Sequence, residues 1–95
     1  MILETAFISV QPGREEEFLA ALPAGIAVLE QAKGFVDISV HRGVERSNVI
    51  MLALRWETLE NHTVDFREGP LFPQWREVIS PFFESAPVVE HWEML

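Results

Sequence analysis

An α+β domain of order β-α-β-β-α-β, with an antiparallel four-stranded sheet and its helices on one face, is the fold class the sequence predicts. Three observations predict it. Four short runs, at 2–10, 35–42, 49–54 and 88–94, carry the patterning of strands. Between them lie segments whose apolar residues recur at steps of three and four, the helical period. Gly and Pro mark most of the junctions, and 95 residues suffice for one core, so 1–95 reads as a single domain.

The stretch 49–83 organises the rest. Val49-Ile50-Met51-Leu52-Ala53-Leu54 is short enough for a strand and apolar enough to be buried on both faces, which makes it central. Thr58 suits an N-cap, and Leu59, His62, Thr63 and Phe66 follow at i, i+3, i+4 and i+7, laying a helix on the sheet. Gly69-Pro70 ends it. A second helix opens near Phe72-Pro73 with Phe72, Trp75, Ile79 and Phe82 on one stripe. At the start of the chain, Ile2, Ala6, Ile8 and Val10 share one strand face, and Leu3, Phe7 and Ser9 the other. Gln11-Pro12-Gly13 turns into a helix near Arg14, whose Glu15-Glu16-Glu17 start favours the positive end of the helix dipole and whose stripe is Phe18, Leu22, Ile26 and Leu29. Pro23 removes a backbone donor there and predicts a kink or a split. Lys33-Gly34 closes the helix, 35–42 reads as a more polar edge strand, 43–48 as a hairpin loop and 88–94 as the last strand.

Strands one and three are apolar on both faces, and the chain has no second layer for the side without helices. A homodimer with the two sheets face to face is therefore expected. The formal net charge of -8, with no cluster of Lys or Arg, excludes nucleic acid and an anionic membrane as partners and leaves a small-molecule substrate and a second copy. Zero cysteine excludes disulfides, thiolate metal sites and thiol nucleophiles. No uncharged run approaches a membrane span, and Met1-Ile2-Leu3-Glu4 does not resemble a signal peptide, so the expected location is cytoplasmic.

A strand ending in Arg55-Trp56-Glu57, the acidic Leu59-Glu60-Asn61-His62 segment, the Phe66, Gly69-Pro70, Phe72 and Trp75 passage, and the closing Pro87-Val88-Val89-Glu90-His91-Trp92 strand run in order through nearly the whole chain. This arrangement resembles the antibiotic biosynthesis monooxygenase domains of the dimeric α+β barrel superfamily, which are ferredoxin-like in fold. The resemblance implies a cofactor-independent monooxygenase-like protein acting on a quinol or polycyclic phenol, or a non-catalytic, small-ligand-binding or stress-associated barrel. The haem-degrading branch places an asparagine on the first strand. None occurs between Met1 and Val10.

Cofactor-free oxygenation asks for a dry apolar pocket, a base that makes an electron-rich substrate anion, and a donor to the developing oxyanion. His62 is the candidate base, because imidazole titrates near neutral and this one shares a stripe with Phe66. Trp56, Phe66 and Trp75 are the candidate walls for a planar ring. Arg55 alternates with Trp56 and faces the other side of the sheet, so Arg76 or Arg67 is the candidate oxyanion donor. The ordinary roles of these side chains, core packing for the aromatics and solvation for the arginines, stand beside the catalytic ones. His41, His62 and His91 form no i, i+4 pair and have no carboxylate at ligand spacing, so neither a metal nor another cofactor is expected.

Overall fold

A computed structural model describes residues 1–95. The elements are β1 (Ile2–Ser9), α1 (Glu15–Leu29), β2 (Phe35–Arg42), β3 (Val49–Trp56), a π-helical turn (Asn61–Phe66), α2 (Leu71–Ile79), a 3-10 turn (Ser80–Phe82) and β4 (Val88–Glu93). The sheet order is β2-β3-β1-β4 with every pairing antiparallel, so the strands that are apolar on both faces are the central ones. No helix is long and apolar enough to cross a membrane.

The core lies between one sheet face and the helices. Ala6 and Ile8 from β1 meet Ile50, Leu52 and Leu54 from β3, and Phe18, Leu22 and Leu29 from α1 close over them with Trp75 and Ile79 from α2. Gly25 sits where α1 crosses α2, and a Cβ built there would lie 2.8 Å from Cζ3 of Trp75. A side chain at this position would hold the helices apart.

Pro23 does not split α1, which runs unbroken from Glu15 to Leu29. The proline lies on the exposed face, where water substitutes for the lost backbone bond and the ring points away from the core. The expected regular helix from Leu59 to Phe66 is also altered. Arg67 N–H donates to His62 O at 3.0 Å, an i to i+5 bond that widens the turn. The wider turn changes which residues face inward: Asn61, His62 and Phe66 are buried, while Leu59 is exposed. Thr58 does start this segment. Its Oγ1 accepts from Asn61 N–H at 3.2 Å, and Asn61 Oδ1 accepts from Thr58 N–H at 3.1 Å, a reciprocal cap in which asparagine stands where Glu or Gln is usual.

The opposite sheet face has no helix on it. It carries Leu3, Phe7, Met51, Val88 and Trp92, with the Arg55–Asp37 ion pair toward the β2 edge.

Candidate active site

A cavity of about 230 Å³ opens between the sheet and the helices. Ala6, Ile8, Leu52 and Leu54 form its floor, Leu29, Phe66, Phe72, Trp75 and Ile79 its walls, and Arg67 and Arg76 also border it. Its polar end is built by Glu4 and His62. The alternation of β1 turns Glu4 toward the helices together with Ala6 and Ile8, and the sheet register sets it opposite Leu54 on one side and His91 on the other.

Glu4 is 5% exposed, and the indole N–H of Trp56 donates to its Oε1 at 2.9 Å. His62 Nε2 approaches the same oxygen at 3.4 Å. No fully buried polar side-chain atom lacks a partner, yet Glu4 Oε2 has no hydrogen bond within the protein. That oxygen therefore keeps some accessible surface, and Glu4 borders the cavity. His62 packs against both Trp56 and Phe66, with ring centroids 5.2 and 6.0 Å away, the three rings forming a triangle because Trp56 and Phe66 also touch at 5.6 Å, and its Nδ1 lies 2.8 Å from Nε2 of His91. His91 is only half-buried, so the two imidazoles link the cavity's polar end to the surface of β4.

Electrostatics follow from burial. Desolvation pushes the Glu4 carboxyl up to about 7, against the smaller opposing pull of the Trp56 hydrogen bond and of Arg67. His62 moves the other way, down to about 3, because burial and the positive charge of Arg67 both disfavour a second proton, with His91 adding to the effect. Burial and Arg67 lower His91 as well. The Glu4–His62 contact at neutral pH therefore joins a carboxyl group to an uncharged imidazole and is not an ion pair.

His62, Phe66, Trp75 and Arg76 lie on the cavity wall. Trp56 does not. It is wholly buried behind His62, and its part in the site is to hold Glu4 and to stack on the imidazole. The expectation that His62 titrates near neutral also fails, because the ring is buried and stands near a cation. Glu4 and His91 are the site residues that sequence reasoning missed. Glu4 had a signal: it is the one charged side chain in the Ile2, Glu4, Ala6, Ile8 row that faces the core. Arg55 is on the other sheet face, paired with Asp37. Neither Arg67 nor Arg76 is held in an ion pair, although Arg76 lies 5.9 Å from the centre of the Phe72 ring. His41 bonds Ser39 on β2, and no group of three or more His, Cys, Asp or Glu side chains is placed to hold a metal ion.

Comparison with known proteins places this geometry in a family. The uncharacterized protein YczJ of Bacillus subtilis is 30% identical over 93 residues, spanning 98% of each chain. A Bordetella bronchiseptica protein classed with the antibiotic biosynthesis monooxygenases superposes with a TM-score of 0.95 at 36% identity, covering 99% of this chain and 96% of the other. SnoaB, a cofactor-independent oxygenase from Streptomyces nogalater, shares the fold with a TM-score of 0.80 at 14% identity, over 98% and 91% of the two chains. The family model for antibiotic biosynthesis monooxygenase matches residues 1–78, which run from β1 through the cavity-lining helices, and the chain belongs to that family.

Proposed function

We propose that this protein is a cofactor-independent monooxygenase acting on a small hydroxylated aromatic compound. The observation that carries the reading is an apolar cavity ending on a buried carboxyl–imidazole pair. Loss of the hydroxyl proton at that end turns a phenol into an anion electron-rich enough to reduce dioxygen itself. One oxygen atom enters the substrate as a carbonyl at a ring CH conjugated with the phenolate oxygen. The other leaves as water with that carbon's hydrogen and the hydroxyl proton, so the substrate supplies all four electrons.

The cavity, about 230 Å³, lies below the range usual for drug-sized ligands and suits one or two fused rings better than a tetracycle. Phe66, Phe72 and Trp75 supply stacking surface, and unpaired Arg67 and Arg76 favour an anionic substituent or a developing oxyanion. The oxygenase activity named for SnoaB, on the same fold, is consistent with this chemistry. Two copies are proposed to pack sheet to sheet, which covers Phe7, Val88 and Trp92 on the open face.

The test is thermal stability of the purified protein against naphthoquinols, anthrone-like phenols and haemin, followed by oxygen uptake without added metal or flavin. A raised melting temperature with the phenols, together with uptake that His62→Gln weakens, supports the oxygenase. Binding of phenols without any uptake leaves a ligand-binding barrel and overturns the catalytic reading.

A further inference from the structure

We propose that Glu4, rather than His62, is the catalytic base, and that His62 and His91 form the path by which its proton reaches solvent. The inference rests on the oxygenase reading above, and the geometry singles out the carboxyl. Its Oε1 accepts from Trp56 and stands 3.4 Å from His62 Nε2, whereas Oε2 has no partner within the protein, and Glu4 borders the cavity that would hold the substrate hydroxyl. His62 has no comparable freedom. Its ring is buried against Trp56 and Phe66, with one nitrogen toward Glu4 and the other committed to His91.

The proton count closes. A substrate hydroxyl gives its proton to the Glu4 carboxylate and becomes the oxyanion. Rotation of the Glu4 carboxyl then brings its proton to His62 Nε2, which takes it as His62 Nδ1–H passes its own to His91 Nε2, and His91 Nδ1–H releases one to water. Every O–H or N–H bond that breaks is matched by one that forms, and no ring ever carries a second proton. That suits two imidazoles whose environment disfavours the charged form. The row runs in reverse when the reduced oxygen takes up a proton and leaves as water, which restores the starting tautomers. The charged and titratable groups facing Glu4 are His62 from the π-helical turn, Arg67 just after it and His91 from β4. Arg67 lowers the pKa of all three and so makes each a stronger acid.

The experiment uses the full-length protein labelled with ¹³C at the glutamate Cδ. In the wild type one resonance, absent in Glu4→Gln, titrates near pH 7. Anaerobic binding of 1-naphthol at pH 8 shifts that resonance toward the protonated value. A Glu4 resonance that does not respond to bound naphthol overturns the assignment, whether or not oxygen is ever consumed. Absence of oxygen uptake alongside a responding resonance overturns the oxygenase reading instead. With a turned-over substrate, Glu4→Gln lowers kcat by about a hundredfold or more and abolishes the acid limb of the pH profile. His91→Phe lowers kcat about tenfold with KM unchanged, and added imidazole restores it. Unchanged kcat in His91→Phe removes the exit path.

Discussion

Replacing Glu4 with glutamine should stabilise the protein, and only at neutral and alkaline pH. The carboxyl titrates at an ordinary value of 4.5 when unfolded and at about 7 when folded. A raised carboxyl contributes stability that is fully present below pH 4.5 and is lost as pH rises through about 7, because the native state then has to release a proton into a buried site. Each pH unit in that window removes about 1.4 kcal/mol, so the wild type gives up about 3 kcal/mol by pH 8. Glutamine keeps an oxygen for the indole N–H of Trp56 and has no proton to lose. The measurement is urea unfolding of both proteins at one fixed concentration, at pH 4.5 and pH 8, with unchanged m-values as the condition for comparing midpoints. Glu4→Gln should gain about 3 kcal/mol on the wild type between the two pH values. His62 acts with opposite sign: its lowered value gives stability that is present above pH 6.5 and is lost as pH falls through about 3. It is common to both proteins and cancels in the difference. A difference that stays flat from pH 4.5 to pH 8 would refute the claim that a buried, proton-holding Glu4 forms the end of the cavity.

Three further outcomes follow from particular contacts. Gly25→Ala should destabilise by about 1 kcal/mol despite alanine's better helix propensity, because the new Cβ meets the Trp75 ring at 2.8 Å; urea midpoints measure the loss and near-ultraviolet circular dichroism reports the displaced indole. Arg67→Gln removes the cation that holds Glu4 down and His62 down with it, so the acid limb of the pH–rate profile should move to higher pH and KM for acidic phenols should rise. Trp92→Arg, on the exposed sheet face, should shift the protein from dimer to monomer in analytical ultracentrifugation, and a sedimentation coefficient that does not change would argue against sheet-to-sheet pairing.

Most of the fold was legible because it rests on periodicity. The order of elements, the central position of β3, and the start of α1, expected near Arg14 and found at Glu15, all follow from patterns of two and of three to four. What escaped depends on partners distant in sequence. Glu4 and His91 are 87 positions apart and meet only because β4 pairs with β1 in one register. The π-helical turn escaped for another reason: Asn61 completes a cap with Thr58, and the extra width of the turn comes from a backbone bond that no side-chain pattern announces. Reading Leu59, His62, Thr63 and Phe66 as one regular stripe led to a helix facing the right way, but with Leu59 in place of Asn61 among its buried residues. Trp56 was placed on the correct face and one layer too near the substrate. Alternation sets the side of a sheet, whereas depth behind a neighbouring ring is settled by packing.

The site divides its tasks between parts of unequal rigidity. Glu4 lies on a central strand bonded on both sides, and Trp56 ends the adjoining strand, so the carboxyl group at the end of the cavity is held by the sheet itself. Arg67 and Arg76 are exposed, unpaired side chains on the helical layer, and Phe72 is a partly buried one. Under the proposed function, a fixed proton acceptor beneath adjustable walls would suit a scaffold that keeps one reaction while accepting different rings. It also accounts for leaving a carboxyl buried at a cost that grows with pH. Glutamine would make a more stable floor, and the proposed proton transfer is what the ionisable group would supply in exchange for that penalty.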